Sequence, residues 1–317
     1  MDQFDFRPRK KPTFYYIGVS TRQSSIMRVF PRWAEYLNLN DPDFVGINFK
    51  IHADKEKYRK IVKYIKDDDN SLGALVTSHK IDLYEAAQDL FDKVGEFTQL
   101  LGEISCISKY DKKLIGHAKD PITSGLAFDS FIPENHWQDT GAEILIIGAG
   151  GASLALTTYI MQELDPDNRP SKIYISNRSI PRLEKMNKIH KTINPGIEVE
   201  YFHHPNPEQN DNIVNHLKVG SLVINGTGLG KDAPGSPITD DAEFPLNGFA
   251  WDYNYRGDLV FLDQARAQAE EKNLHIEDGW VYFLHGWTRV IAEVFHISIP
   301  VEGPKFEEIS QIAVKAK

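Results

Sequence analysis

The chain has 317 residues, 41% of them hydrophobic and 26% charged, and this length exceeds one typical hydrophobic core, so two domains are expected. Its 36 basic and 45 acidic residues give a net charge of -9, which disfavours a nucleic acid or an anionic membrane as partner because both require a basic surface. The single cysteine, Cys106, excludes an intramolecular disulfide framework, and the sequence shows neither a membrane span nor a secretory signal, so a cytoplasmic protein is expected.

The first part of the chain alternates short apolar runs with amphipathic stretches. Between residues 14 and 90 the runs FYYIG, FVGINFKI and LGALVT alternate with SIMRVFPRWAEYLNL and KEKYRKIVKYI. This alternation is typical of βαβ units and predicts a parallel sheet covered by helices. Pro31 lies inside the first helical pattern, where it is expected to start or kink a helix. Residues 103–115 predict a hairpin with a polar turn at 109–113.

A second alternating series begins at Glu143. Its strand-like runs are EILIIGAGG, KIYISNR, IEVEYF, SLVINGT and FAWDYNY, separated by helical stretches such as SLALTTYIMQEL and PRLEKMNKIHKTI. The series predicts a separate doubly wound sheet. The polar segment 131–141 between the two series is the predicted linker. We expect one domain over residues 1–130, completed by C-terminal helices at about 280–317, and a second over residues 131–279.

A glycine-rich turn follows the first strand of the second series. Gly148, Gly150 and Gly151 come directly after an apolar strand and before a helix, although Ser153 occupies the third position of the G-x-G-x-x-G pattern. Such glycines let backbone N–H groups and a helix N-terminus approach a pyrophosphate. The alternative is a tight strand-to-helix connection without a ligand. The predicted cofactor contacts of the turn are Gly148, Ala149, Gly150, Gly151 and Ala152.

The next strand favours NADP over NAD as the cofactor. It ends in Asn177 and Arg178, where an NAD site usually carries an acidic residue for the ribose 2′-hydroxyl. An arginine there can pair with a 2′-phosphate, although a solvated loop arginine is the alternative. Thr227 and Gly228 follow a later strand, and we expect them to line the nicotinamide side, because ligands of open α/β sheets bind beyond the strand ends. A simple turn is the alternative.

The order of these motifs resembles the shikimate dehydrogenases, a family of aromatic amino acid biosynthesis. The resemblance extends from about Tyr16 to Phe295. It is carried by VTSHK (76–80), LIGHAKD (114–120), GAGGA (148–152), SNRS (176–179), INGTGLG (224–230) and DYNY (252–255). It implies an α/β protein with an N-terminal substrate domain, a Rossmann-type doubly wound NADP-binding domain and a cleft between them. We expect a small-molecule substrate, no metal ion, and a monomer or homodimer.

The resemblance assigns the catalytic pair to Lys80 and Asp120. An amine within reach of a secondary alcohol can take the hydroxyl proton as hydride leaves carbon, and an ammonium can return it in the reverse direction. The carboxylate would orient that amine. Without the resemblance, each residue would be interpreted as part of a surface ion pair.

Several substrate-contact positions of the family are altered in this chain. In GVSTRQSSIM (18–27) only the first of two carboxylate-binding serines is kept, and GEISC (102–106) replaces G-A-x-N-T. The replacements are Ile26 for the second serine, Ser105 and Cys106 for asparagine and threonine, Ala118 and Lys119 for the pair before Asp120, and His285 for a glutamine. The planar fork of Arg22 could supply a new contact to a carboxylate or phosphate. The predicted substrate contacts are Arg22, Ser24, Thr77, Ser105, Tyr255 and His285.

The altered contacts favour the same reaction class on a different molecule. The leading hypothesis is hydride transfer between NADP(H) and a small polar hydroxy or oxo compound other than shikimate. The alternatives are an authentic shikimate or quinate dehydrogenase, an imine or amino-compound reductase, and a non-catalytic NADP-binding protein. His79 and His285 are interpreted first as residues that satisfy local hydrogen bonds, ahead of a role in proton transfer. His203 and His204 lack the partners of a metal site.

Overall fold

The computed structural model describes residues 4–193 and 196–316, and the chain divides into two compact units. The first unit runs to Lys119 and resumes at Gly286, whereas the second runs from Asp120 to His285. The first boundary therefore falls about ten residues before the predicted one. The predicted linker, residues 131–141, lies inside the second unit and contains a short helix.

The elements follow in chain order. The strands are β1 (Thr13–Gly18), β2 (Asp43–Asn48), β3 (Ser71–Val76), β4 (Lys93–Val94), β5 (Cys106–Tyr110), β6 (Lys113–His117), β7 (Ile144–Ile147), β8 (Lys172–Asn177), β9 (Glu198–His203), β10 (Leu222–Asn225), β11 (Phe249–Asp252) and β12 (His275–Glu277). The helices are α1 (Ile26–Tyr36), α2 (Lys55–Asp67), α3 (Lys80–Ala87), α4 (Glu96–Leu101), α5 (Asp120–Asp129), α6 (His136–Thr140), α7 (Gly151–Gln162), α8 (Ile180–Ile193), α9 (Pro207–Val214), α10 (Val260–Lys272), α11 (Trp280–Phe295) and α12 (Pro304–Ala316). None of these helices, within the described ranges, has the length and apolar character needed to cross a membrane.

The first unit contains a mixed sheet with the order β2-β1-β3-β5-β6-β4. Strand β1 pairs in parallel with β2 and β3, as the βαβ pattern predicted. Strands β5 and β6 form the predicted hairpin, antiparallel to each other, and β5 is also antiparallel to β3. Asp111 and Lys112 at its tip both have positive φ, the backbone geometry that a tight hairpin turn requires.

Both ends of the chain contribute to the core of the first unit. Helix α1 runs through Pro31 and begins five residues before it, because its buried face is continuous from Ile26 to Trp33. The indole Nε1 of Trp33 donates a hydrogen bond to the carbonyl oxygen of Ile309 in α12, at 2.8 Å. The C-terminal helix is therefore part of the first unit, although it follows the second in the chain.

The second unit contains an all-parallel sheet with the order β12-β11-β10-β7-β8-β9. Counted from β7, this is the 6-5-4-1-2-3 order of a Rossmann fold, whose direction reverses between β7 and β10. Both of these strands are fully buried. The prediction of an α/β protein with a doubly wound domain is confirmed. The FAWDYNY run is only partly strand, because β11 ends at Asp252.

Helix α5 belongs to the second unit because it packs closely on α7. A Cβ atom added to Gly125 would lie 2.3 Å from the ring of Tyr159, so only glycine allows the helices to approach this closely. The hydroxyl of Tyr159 also donates a hydrogen bond to Asp129. This packing explains why the unit begins at Asp120 and not near residue 131.

Candidate active site

The two glycines of the turn between β7 and α7 have different functions. Gly148 has φ of +114°, and an added Cβ would lie 2.6 Å from the carbonyl oxygen of Gly226, so the turn requires glycine there. Gly150 has an ordinary extended backbone, and an added Cβ would find no atom within 4 Å. Gly150 therefore leaves open space in front of α7, where the first N–H groups of the helix have no intrahelical partner.

Asn177, a predicted cofactor contact, uses its side chain to hold this turn. Its Oδ1 accepts a hydrogen bond from the backbone N–H of Ala149 at 3.3 Å, and its Nδ2 donates to the carbonyl oxygen of Ser179 at 3.0 Å. The next residue, Arg178, is exposed. Its guanidinium has no hydrogen bond or ion pair with any residue that the structure describes, so it can receive an anionic group.

A buried amide and carboxylate network fixes the loop that follows β10. Asn225 Nδ2 donates to Asp252 Oδ2 at 2.9 Å, and Asn225 Oδ1 accepts from both the N–H and the hydroxyl of Thr227. Asp252 Oδ1 accepts from the N–H and Nδ2 of Asn254, each at 2.8 Å, and Asn254 Nδ2 also donates to the carbonyl oxygen of Thr227. The network therefore joins the ends of β10 and β11 and fixes the predicted nicotinamide-side loop.

Sequence reasoning quoted the DYNY motif but did not single out Asp252 as a functional residue. Its side chain is fully buried. Burial raises the pKa of the Asp252 carboxyl to about 6, although hydrogen bonds from Asn254 and Asn225 lower it. The available signal was an acidic residue inside the otherwise apolar and aromatic run of a predicted strand, two positions before Asn254.

The second unit can hold a dinucleotide at the point where its strand order reverses. Ser153 is buried on α7, and its hydroxyl has no hydrogen-bond partner among the residues described. This hydroxyl faces Gly226, where an added Cβ would lie 2.5 Å from Ser153 Oγ. On the loop after β10, the carbonyl oxygen of Gly228 accepts backbone hydrogen bonds from residues 231–233. An open helix N-terminus and a spare hydroxyl therefore lie beside a fixed loop.

Two predicted substrate contacts also lie in the second unit. Tyr255 is half-buried in the loop after β11, so it is not a strand tyrosine, and its ring packs on Trp280 and Phe283 at centroid distances of 5.5 and 5.1 Å. His285 is buried within α11. Both residues are therefore held by the segment that connects the second unit to the C-terminal helices.

In the first unit, Thr77 lies at the carboxyl end of β3 beside the end of β1. A Cβ on Gly18 would lie 2.9 Å from Thr77 Oγ1, and the Thr77 hydroxyl donates to the carbonyl oxygen of Ile17 at 3.2 Å. Arg22 is exposed on a short 3-10 turn after β1, and Ser24 follows it, half-buried. The structure therefore places these predicted contacts on neighbouring strand ends.

Lys80 is the first residue of α3 and is half-buried. Burial lowers the pKa of its amine, and the nearby carboxylate of Glu103 raises it. The carbonyl oxygen of Lys80 accepts a hydrogen bond from the N–H of Ile104 at 3.2 Å. Asp120 is the first residue of α5 in the second unit, and its carbonyl oxygen accepts a bond from the Ser124 hydroxyl at 2.8 Å. Each residue of the predicted pair therefore begins a helix.

Ser105, another predicted substrate contact, is engaged by its own unit. Its hydroxyl oxygen accepts a hydrogen bond from the N–H of Lys119 at 2.8 Å. The Lys119 amine lies 2.6 Å from a carboxylate oxygen of Glu293 in α11, whose other oxygen lies 3.2 Å from His117 Nε2. Hydrogen bonding to His117 is the main cause that lowers the pKa of Glu293 to about 2. Sequence reasoning missed Glu293, which is 174 positions from Lys119.

The other residues considered for a functional role are buried or are hydrogen-bonded to neighbouring residues. His79 is fully buried, with its Nδ1 2.9 Å from the hydroxyl of Tyr58, and burial lowers its pKa. Cys106 is also fully buried, and burial raises the pKa of its thiol, which makes it a poor nucleophile. His203 and His204 bond to a backbone carbonyl and to an asparagine side chain. Within residues 4–193 and 196–316, no group of three His, Cys, Asp or Glu side chains is placed to hold a metal ion.

Curated relatives share the sequence over about half of the chain or more, although no family model matches it. The shikimate dehydrogenase (NADP+) of Streptococcus thermophilus is 29% identical over 57% of this chain, that of Streptococcus gordonii 25% over 73%, and that of Pyrococcus furiosus 31% over 54%. The matched regions span 59%, 75% and 58% of those proteins, respectively. For two of the three, this is less than two thirds of the relative's length.

Solved structures share the fold along nearly the whole chain. A shikimate dehydrogenase in complex with NADP+ has a TM-score of 0.72 at 19% identity and covers 96% of both chains. The shikimate 5-dehydrogenase of Listeria monocytogenes, in complex with shikimate and NAD, has a TM-score of 0.72 at 19% identity, over 98% of this chain and 99% of the other. A 5-ketofructose reductase of Gluconobacter sp. strain CHM43 has a TM-score of 0.66 at 16% identity, over 97% and 99%. This chain is therefore similar in sequence and in fold to shikimate dehydrogenases, which confirms the resemblance carried by its motifs.

Proposed function

We propose that this protein is an NADP(H)-dependent oxidoreductase that transfers hydride to or from a small polar hydroxy or oxo compound. The proposal rests mainly on the open space in front of the N-terminus of α7. A Cβ at Gly150 would have no neighbour within 4 Å, and the first N–H groups of α7 are available to an anion. A tight connection without a ligand would not need this open space.

The residues of the second unit fit NADP(H), which supplies or accepts the hydride when bound. The pyrophosphate would be held by the backbone of residues 148–152. The exposed guanidinium of Arg178 would pair with the 2′-phosphate. Thr227 and Gly228, on the loop fixed by Asp252, would line the nicotinamide side. Relatives of this chain are named as NADP+-dependent, which supports the same choice here.

Lys80 would move the proton in the reaction. In carbonyl reduction its ammonium donates a hydrogen bond to the carbonyl oxygen, stabilises the negative charge that develops there, and then transfers its proton. In alcohol oxidation the neutral amine takes the hydroxyl proton. Burial lowers the pKa of Lys80, which makes its ammonium a stronger proton donor than that of a solvated lysine. Asp120 would orient the amine by its charge.

The first unit supports a substrate other than shikimate. Ile26 replaces a family serine and is fully buried, so it offers no hydroxyl. The Ser105 hydroxyl bonds to the backbone of Lys119, whose amine is held by Glu293. The exposed Arg22 would supply a contact to a substrate carboxylate or phosphate. The same fold carries a 5-ketofructose reductase, which shows that it accommodates more than one carbonyl compound.

Steady-state assays with the purified protein test both parts of the proposal. NADPH oxidation is followed with small polyhydroxy ketones, and NADP+ reduction with shikimate and quinate. We expect activity on the ketones to exceed activity on the other two, and the opposite ranking would favour the shikimate or quinate alternative. Lys80→Ala should lower kcat by about 100-fold or more while NADP+ still binds, whereas the exposed control Lys57→Ala should not. Undiminished turnover by Lys80→Ala would contradict the proposed chemistry.

A further inference from the structure

Glu103 is a buried acidic residue to which the proposed reaction assigns no part. It precedes β5 in the GEISC segment, and its side chain is only 5% exposed. One carboxylate oxygen, Oε1, is closed off from solvent and has no hydrogen-bond partner among the described residues. A buried carboxylate oxygen without a hydrogen bond is costly unless a positive charge compensates it, so a compensating charge is expected nearby.

Two backbone hydrogen bonds place the Glu103 segment alongside the segment that carries Lys80. The N–H of Ile104 donates to the carbonyl oxygen of Lys80 at 3.2 Å, and the N–H of Val76 donates to the carbonyl oxygen of Ser105 at 2.8 Å. The segment 103–105 therefore runs beside both ends of the β3–α3 connection. Burial lowers the pKa of Lys80, and the charge of Glu103 raises it.

The other charged groups on the elements of the first unit around Lys80 have partners of their own or, as with Glu85 on α3, are exposed to solvent. On α3, Asp82 lies 3.1 Å from His52 Nδ1. After β6, His117 and Lys119 share Glu293. His79 bonds to Tyr58. Asp120, in the second unit, is the proposed partner of Lys80 in the reaction, which leaves Glu103 as a second and unassigned source of negative charge.

We propose that Glu103 is a positioning residue for Lys80: its buried carboxylate stabilises the protonated amine and so prepares the protein to reduce a carbonyl compound. This inference rests on the proposed function. NADPH, when bound, would supply the hydride to the carbonyl carbon and would be oxidised to NADP+. The electron pair of the C–O π bond moves to oxygen, and oxygen takes a proton from Lys80 Nζ. The neutral amine then regains a proton from water.

The first test measures the protonation of Lys80 without cofactor or turnover. Pulses of acetic anhydride label neutral amines, and mass spectrometry of the labelled peptides gives a pH midpoint for each lysine. Glu103→Gln keeps the shape of the side chain but removes its charge, so we expect the Lys80 midpoint to fall by about one pH unit. The exposed Lys305 should keep its midpoint in both proteins. An unchanged or higher midpoint for Lys80 would overturn the inference.

The second test measures the pH dependence of carbonyl reduction. In Glu103→Gln the pH above which kcat falls should move down by the same amount, with the KM for NADPH within about twofold of the original. A purely structural role would lower thermal stability without moving this profile. If Glu103→Gln does not fold, Glu103→Ala, the residue in the family pattern, takes its place in both measurements. If Lys80→Ala is inactive but Glu103→Gln leaves the labelling midpoint of Lys80 unchanged, this inference alone is contradicted. If Lys80→Ala is fully active, the proposed function is contradicted.

Discussion

The two units fix the loops at the carboxyl ends of their central strands by different means. In the second unit, glycine geometry at Gly148 and hydrogen bonds between buried side chains and backbone, from Asn177 and Asp252, hold the loops. In the first unit, charged side chains such as Glu293 make the connections. Backbone geometry tolerates few residue types, whereas contacts between side chains can be exchanged for others. We therefore expect the loops of the second unit to tolerate fewer substitutions than those of the first.

The largest effect on stability is expected for a substitution at Gly148. Gly148→Ala should destabilise the protein by about 3 kcal/mol or more, because alanine is strained at positive φ and its Cβ would clash with the carbonyl oxygen of Gly226. Gly150→Ala is the matched control for folding, since its backbone and surroundings accept a Cβ. Its stability should change by about 0.5 kcal/mol or less. Urea unfolding measures both variants.

Gly150→Ala also tests the cofactor site itself. A methyl group in the open space before α7 should weaken NADP+ binding by about tenfold or more, because it occupies the place expected for the pyrophosphate. Fluorescence titration of the folded variant measures this affinity. Unchanged NADP+ binding by Gly150→Ala would show that the cofactor does not occupy the open space in front of α7.

Asp252 should make the second unit less stable as pH rises. Its pKa is about 6 in the folded protein and near 3.8 in the unfolded chain, so the folded state binds the proton more tightly between about pH 4 and 6. The Asp252 contribution to the free energy of unfolding therefore falls by up to about 3 kcal/mol across that window. The destabilisation caused by Asp252→Asn should accordingly shrink from pH 4 to pH 7 in urea unfolding. If the destabilisation caused by Asp252→Asn grew with pH, this account would be contradicted.

In the first unit, the contribution of Glu293 to stability should depend on pH in the opposite direction. Its folded pKa of about 2 lies below the ordinary value of 4.5, so its stabilising contribution is complete above pH 4.5 and is lost as pH falls towards 2. Because the side chain keeps 28% exposure, we expect Glu293→Gln to cost about 2 kcal/mol at pH 7. The same urea measurements should show this cost shrinking in acid, and a cost that is equal at pH 7 and pH 3 would be evidence against the ion-pair cluster.

The smallest effect is expected at Arg178, which distinguishes the cofactor without supporting the fold. Arg178→Ala should weaken NADP+ binding by about tenfold, or about 1.4 kcal/mol, and change NAD+ binding by less than about twofold. The exposed Arg266→Ala, remote in sequence from the turn, should alter neither affinity. Equal losses for both cofactors would remove the argument for a 2′-phosphate contact.

The elements predicted correctly are those specified by short-range patterns. The strand β7 with its glycine turn, the hairpin of β5 and β6, and the C-terminal helices from about residue 280 each follow from local periodicity and turn residues. The boundary at Asp120 could not be predicted locally, because it depends on how closely Gly125 allows α5 to approach Tyr159.

The candidate site shows the same limit. The resemblance located the motif positions, but side-chain partners distant in sequence determine what each residue does. Asn177 bonds to the turn 28 positions away, and Glu293 bonds to Lys119 across 174 positions. Local sequence cannot show that a polar side chain is already engaged, so it could not distinguish a ligand contact from an internal one.

The division of the chain also has a consequence for its synthesis. The second unit is one uninterrupted segment, whereas the first needs residues 286–317 to complete it. A growing chain on the ribosome therefore presents all of the second unit before helix α12 exists to accept the hydrogen bond from Trp33. The unit that begins at the N-terminus is thus the last to be completed. Until α12 has been synthesised, the face of α1 that packs on α12 has no covering helix, and during that interval it is a surface that a chaperone could bind.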